Sequence, residues 1–237
     1  VENKEKVVVL WSGGLDSTVL VKKYLSEGKE VYPITIYYGQ RHKKEIEFVK
    51  KLEEIFGIKS KIVDLSGLRE ILRSRLTSEF ENEGEGEGEG YIVPNRNMIL
   101  LSVAIAYAIS IGANVVGIST SKSDSVIFPD SSREFLEAMN LSSVLGNNNK
   151  VRLDFPFINL TKSEIIKLGL ELGVPFEFTW TCYEGKERPC LRCPSCLERV
   201  KGFMGVGIKD PLLTDEEWEK AKEEVRVWMK MNNPSQN

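Results

Sequence analysis

The sequence predicts an α/β protein: an open, mostly parallel sheet with helices on both faces, followed by a small cysteine-bearing region near the C-terminus. Three observations lead there. Strand-like and helix-like segments alternate through the first half of the chain, the rhythm of parallel strands joined by crossover helices. A glycine turn, Ser12-Gly13-Gly14, stands between the first strand-like run and the first helix-like one. All four cysteines of the 237 residues fall between positions 182 and 196.

Val7 to Trp11 is an unbroken apolar run and predicts a strand buried on both faces. Ser17 to Ser26 predicts a helix, Val31 to Tyr37 a second strand and Lys43 to Phe56 a second helix, with Ile46, Val49, Leu52, Ile55 and Phe56 as its apolar stripe. Gly57 then sits where a left-handed residue ends a helix, and Lys61 to Leu65 reads as a short third strand. Met98 to Ile118 carries no charge and reaches the roughly 20 residues of a membrane span. Gly112-Ala113-Asn114 divides it, however, into a helix and a β-rich Val115 to Ile118, as expected of a buried helix feeding a buried strand. Thr161 and Glu164 form a capping box for a helix closed by Gly173 and Pro175, and Thr214 and Glu217 open a charged helix running to Met231. Residues 83–90 alternate Glu and Gly and predict a solvated loop, and residues 232–237 a frayed tail. The expected organisation is an α/β domain over 1–175, the cysteine region over 176–208, and a C-terminal helix with its tail over 209–237.

A composition of 41% hydrophobic and 28% charged residues excludes collagen-like, wholly disordered and disulfide-scaffold classes. The net charge is −3, and six glutamates lie in residues 79–90, which hold no Lys or Arg, so the rest of the chain stands at only +3. That is far from a polyphosphate-binding surface, and it favours a small substrate over nucleic acid. The first residues show no apolar segment with a small-residue cleavage site, so a cytoplasmic protein with no membrane partner is expected.

The turn Ser12-Gly13-Gly14-Leu15-Asp16-Ser17-Thr18 follows a strand and opens a helix, where backbone N–H groups converge on an anion. Ser12, Ser17 and Thr18 add hydroxyl donors. Asp16 is suited to a helix N-cap or to carrying Mg²⁺ to phosphates. Neither the Walker spacing nor a dinucleotide fingerprint is present. The segment resembles the PP-loop of the ATP pyrophosphatase superfamily, which grips the pyrophosphate end of ATP and leaves the α-phosphate open to attack. Lys162, at the start of a capped helix, is a candidate cation for those phosphates, because a lysine there opposes the helix dipole unless an anion is near.

The spacing Cys182-x7-Cys190-x2-Cys193-x2-Cys196 looks like a knuckle wrapping a tetrahedral Zn²⁺ with four thiolates, a closed and therefore structural site. Arg188, Arg192 and Arg199 would be held by it, either as a solvated face or lining a pocket.

A PP-loop joined to a four-cysteine knuckle resembles the QueC family of 7-cyano-7-deazaguanine synthases. Tyr38-Gly39-Gln40-Arg41-His42, Val93-Pro94-Asn95-Arg96-Asn97, Phe128-Pro129-Asp130, Thr161-Lys162-Ser163-Glu164 and Thr179-Trp180-Thr181-Cys182-Tyr183 are similar to that family's blocks, in the same order. Two departures stand out: Ser132 occupies the position of an arginine in the family's Pro-Asp-Cys-Arg, and Ser125-Val126-Ile127 replaces a Tyr-Ser-Gly. The resemblance implies ATP-dependent conversion of 7-carboxy-7-deazaguanine and ammonia to the nitrile, through an acyl-adenylate and an amide, for queuosine or archaeosine. It implies ATP binding by Leu10, Trp11, Ser12, Gly13, Gly14, Leu15, Asp16, Ser17 and Thr18 with Mg²⁺. Gln40, Asn95, Arg96, Asn97, Asp130, Glu134 and Arg192 are the expected substrate-binding residues, and His42, Arg41, Lys162 and Asp16 the expected catalytic ones. A homodimer is implied, with Trp218, Val225 and Trp228 of the last helix serving a dimer contact or docking on their own domain. Two other readings share the turn: a PP-loop enzyme that modifies tRNA by thiolation or lysine addition, which needs a basic surface this chain lacks, and an ATP-binding zinc protein without chemistry.

Overall fold

In the computed structural model, described here for residues 4–40, 43–72, 74, 76–77, 89–148 and 150–232, five strands form one parallel sheet. They are β1 (Lys6–Leu10), β2 (Glu30–Tyr37), β3 (Lys61–Asp64), β4 (Val115–Gly117) and β5 (Arg152–Asp154), in the order β3-β2-β1-β4-β5. Val7 pairs with Val31 on one side and Val115 on the other, which places β1 at the centre. Pro33 is tolerated in β2 because the ladder to β3 begins only at Ile34.

The helices are α1 (Leu15–Ser26), α2 (Lys44–Phe56), α3 (Arg96–Ile111), α4 (Lys122–Ile127), α5 (Arg133–Gly146), α6 (Lys162–Glu171), α7 (Pro194–Val206) and α8 (Asp215–Asn232). Val7 and Val9 join the core with α1, α2, α6, α7 and α8, whereas Val8, Ile34 and Ile36 face α3 and α5. Helices thus cover both faces, and the three regions expected at 1–175, 176–208 and 209–237 share the first of these apolar clusters.

Several boundaries shift. Trp11 lies just beyond β1, though its N–H still bonds to Ile34 O at 2.9 Å. Helix α1 starts at Leu15 because Gly14 is the extended N-cap, so Asp16 is the second helical residue and not the cap. The α2 stripe is rotated from the expected one: Phe48, Val49 and Leu52 are buried, while Ile55 is 48% exposed. The cause is tertiary, since Phe48 packs against Trp180 with ring centroids 5.3 Å apart. Gly57 and Gly112 are both left-handed helix stops, as read. Among the described residues no helix is long and apolar enough to cross a membrane. The Glu-Gly run at 83–88 and the tail at 233–237 lie outside the described residues.

Both capping boxes form. Thr161 Oγ1 accepts from Glu164 N at 3.3 Å while Glu164 Oε2 accepts from Thr161 N at 2.8 Å, and Thr214 with Glu217 repeats the pattern. Thr161→Ala is expected to destabilise the protein by about 1 kcal/mol, read as a lower urea midpoint at an unchanged slope.

Candidate active site

The sheet order reverses direction between β1 and β4, and ligands of open α/β sheets bind in the crevice beyond the carboxyl ends of strands at such a point. The Ser12–Thr18 turn lies there. Gly13 has φ +75°, and a Cβ at this position would meet Glu45 O at 2.9 Å and Val49 Cγ2 at 3.1 Å, so only glycine fits between the loop and α2. On its other side Gly13 O accepts from Trp180 N at 2.9 Å. The hydroxyls are pre-set: Ser12 Oγ lies 3.2 Å from Ser17 Oγ and accepts from Gly14 N at 3.2 Å. Thr18 is fully buried and accepts from Trp11 Nε1 at 3.1 Å. The first N–H groups of α1 have no intrahelical acceptor and point out of the helix start.

The N-terminus of α6 meets that of α1 through an ion pair between Lys162 Nζ and Asp16 Oδ2. The lysine stem runs across Gly202 of α7, where a Cβ would lie 2.6 Å from Lys162 Cγ. Burial raises the Asp16 carboxyl above its ordinary value against the pull of Lys162. Burial alone would lower Lys162, but attraction to Asp16 and Asp124 together outweighs it and the ammonium keeps its proton. Asp16 Oδ1 is buried with no hydrogen-bond partner, which leaves one lone-pair face for a cation or a donor.

A cavity of ≈ 240 Å³ opens above the turn. Leu10, Ile34, Ile36, Leu100 and Ile118 give it an apolar lining and Ser12, Asp16 and Ser17 a polar one, while Tyr38, Arg96, Asn97 and Glu45, the last from beside Gly13, also border it. Trp180, Thr181, Tyr183 and Ser195 close the side toward the cysteines. A smaller adjoining space of ≈ 80 Å³ includes Lys162, Asp124, Glu198 and Arg199 in its walls. Arg96 stays charged although burial works against it: its guanidinium lies over the Tyr38 ring, 5.9 Å from the centroid, and Asp130 favours the cation.

The four cysteine sulfurs lie within 4.8 Å of one another. Zn–S bonds of about 2.3 Å in a tetrahedron put sulfurs roughly 3.8 Å apart, and Cys190 Sγ is 4.0 Å from Cys196 Sγ. Cys190 N donates to Cys182 Sγ and Cys193 N to Cys190 Sγ, both at 3.3 Å. Leu191 takes a left-handed φ of 64° to close the turn. Such a set fits a tetrahedral metal held by four thiolates with no open position.

The structure gathers part of the expected site and disperses the rest. Leu10, Trp11, Ser12, Gly14, Leu15, Asp16 and Ser17 line the cavity, as do Arg96 and Asn97, with Lys162 beside them. Gly13 and Thr18 stand behind the loop. Gln40 is buried behind Glu45, to which its Nε2 donates at 3.2 Å. Asp130 holds the start of α3, accepting from Asn97 N at 2.8 Å, while Asn95 is the left-handed residue before that helix. Glu134 and Arg192 are exposed and line neither space. Ser132, at the departure from the family pattern, caps α5 by accepting from Phe135 N at 3.2 Å. Arg41 and His42 lie outside the described residues. Of the knuckle arginines, Arg199 is buried, pairs with Asp210 at 2.5 Å and donates to Thr179 Oγ1 and Phe176 O, and Arg188 ties the knuckle to Glu217 of α8. Sequence reasoning passed over Glu45 and Asp124, and named Tyr38 and Tyr183 within family-like blocks without giving them a place in the site. Asp124 had a local signal, since it completes a capping box with Ser121.

Strand order, glycine turn and cavity define a nucleotide-binding enzyme of the PP-loop class. NMN synthetase from Francisella tularensis shares the fold, with a TM-score of 0.52 at 14% identity over 95% of this chain and 85% of that one. The family model described as queuosine biosynthesis protein QueC matches residues 6–207. A 7-cyano-7-deazaguanine synthase of Archaeoglobus fulgidus is 44% identical over 95% of this chain and 96% of its own length, and one of Caldicellulosiruptor bescii 42% over 87% and 96%. The chain belongs to the QueC family.

Proposed function

We propose that the protein makes 7-cyano-7-deazaguanine from 7-carboxy-7-deazaguanine, ammonia and ATP. The observation that carries this reading is the cavity that the glycine turn, Asp16 and the half-buried Arg96 line together, with Lys162 in the wall of the adjoining space. A phosphate-gripping turn and an anion-accepting guanidinium line one space with apolar walls, which an adenylation can use to bring its two reactants together.

The turn's N–H groups, Ser12, Ser17 and Lys162 hold the β and γ phosphates and the charge that develops on the pyrophosphate as it leaves. The carboxylate, drawn by Arg96, attacks the α-phosphorus and forms an acyl-adenylate. Ammonia adds to the acyl carbon, AMP departs and a primary amide remains. A second ATP activates the amide oxygen in the same way, and loss of AMP with the N–H proton yields the nitrile. Asp16 Oδ1 is the atom that would hold Mg²⁺, which when bound neutralises phosphate charge. Zn²⁺ is the metal that best fits four thiolates at this spacing.

The homodimer, the cytoplasmic setting and the absence of a nucleic-acid partner form part of the same reading. Trp218 and Val225 are buried in the chain's own core and Trp228 packs against it, so a dimer would use a different face. The test is release of AMP and pyrophosphate. Purified protein should release both only when the 7-carboxy compound and ammonia are present together, with two AMP per nitrile. AMP release that is independent of the deazaguanine, or ATP binding without turnover, would refute the assignment.

A further inference from the structure

Among the described residues four charged ones line the main cavity: Asp16, Glu45, Arg96 and Asp124. Three have evident duties. Asp16 pairs with Lys162 at the phosphate end. Asp124 Oδ2 already accepts from Ser121 N at 2.9 Å and Ser121 Oγ at 2.5 Å. Arg96 supplies the positive charge for an anionic substrate. Glu45 is left, a carboxylate on the first turn of α2 that lines the cavity with Arg96 and Tyr38.

Its position is built. Gln40 is 4% exposed, its Oε1 accepts from Tyr38 N at 2.9 Å, and its Nε2 donates to Glu45 Oε2 at 3.2 Å. Gln40 therefore orients the carboxylate and satisfies one lone pair. Among the described residues Gln40 is the hydrogen-bond donor to Glu45, Arg96 attracts the carboxylate, and a residue that lines the cavity keeps acceptor capacity for a ligand there. Burial raises the Glu45 carboxyl above its ordinary value, so the ionised form gains from any further donor.

A planar carboxylate pairs best with two adjacent N–H donors. A guanine-type ring offers that pair at N1–H and the 2-amino group, whereas an adenine-type ring places an acceptor nitrogen beside its amine and would repel the second oxygen. We propose that Glu45 is the specificity-determining residue of this site, reading the N1–H and 2-amino edge of the deazaguanine, with Gln40 as its positioning residue. This rests on the functional reading above. It separates the two ligands of one cavity: the ring that meets Glu45 is the substrate, and the adenine of ATP lies against the apolar wall.

The experiment compares 7-carboxy-7-deazaguanine with its analogue lacking the 2-amino group, in wild type, Glu45→Gln and Glu45→Asp. Wild type should prefer the full substrate by about 100-fold in kcat/KM, because a site built around a donor rejects a ligand that lacks it. Glu45→Gln should raise the KM of the full substrate by about 30-fold and reduce the preference to a few-fold, with the KM of ATP unmoved. Gln40→Ala should weaken the preference in the same direction. Equilibrium binding of guanine against hypoxanthine to wild type and Glu45→Gln reads the same edge without turnover. If wild type binds guanine preferentially and the variant does not, yet neither turns over the 7-carboxy compound, the assigned reaction fails and the edge reading stands. A rise in the KM of ATP alone, or a preference that survives in Glu45→Gln, overturns the proposal.

Discussion

Lys162→Met is expected to lower kcat by about 100- to 1,000-fold, the range seen when one preorganised donor to a developing negative charge is lost. The lysine heads α6, where its charge opposes the helix dipole, and an anion must compensate. Asp16 is that anion in the ligand-free site, and the bound phosphates join it in the working complex. Met keeps the stem that crosses Gly202, so the packing of α6 on α7 survives and the loss is chemical. Lys162→Arg should not restore the rate, because a planar guanidinium does not place its charge where the compact ammonium meets Asp16 and the phosphates. The measurement is single-turnover pyrophosphate release with the thermal midpoint recorded alongside. A rate within threefold of wild type would remove Lys162 from the mechanism. Asp16→Asn should impair the same step, since it removes the negative charge of the ion pair and replaces one of the two acceptor oxygens with an NH2 donor.

Much of this site was legible because its parts are local. A strand, two glycines and a helix follow one another within about twenty residues, and the valine run, the turn and the capped helices each carry their own signal. The uncharged stretch from Met98 divides where Gly112 allows a left-handed stop. Strand β5 is different: Arg152-Leu153-Asp154 alternates around one buried leucine but is too short to register as a pattern, and it pairs along the edge that Val115 to Gly117 present. Helix α7 was hidden behind the cysteines that begin it. The α2 stripe was misjudged at Ile55 and Phe48 because Trp180, far along the chain, covers Phe48. Glu45, Tyr38, Asp124 and Tyr183 come from four different segments, and no spacing in a linear sequence says that they share one cavity. Asp130 shows the converse: a motif carboxylate that faced ligand by resemblance is engaged with the backbone of α3.

Cys193→Ser, or exhaustive chelation, is expected to cost the protein both its knuckle and its activity. Structural zinc in small sites contributes on the order of 10 kcal/mol to local folding, and the segment from Cys182 to Cys193 has few apolar residues to replace it. The consequence reaches the glycine turn through one residue. Trp180 donates from its indole Nε1 to Cys182 O at 2.9 Å, from its backbone N–H to Gly13 O at 2.9 Å, and packs its ring on Phe48. The knuckle therefore fixes the side of the phosphate cradle away from α2, and Thr181, Tyr183 and Ser195 of the cavity wall move with it. One metal ion per chain should be found in the native protein and none in the variant. Amide exchange should rise across 180–196, and ATP affinity should fall in parallel with it. A metal-free protein that still bound ATP at wild-type strength would mean that the PP-loop holds its shape unaided, and that the knuckle serves only its own fold. If affinity and exchange change together, four thiolates with no reactive position set the geometry in which the chemistry runs.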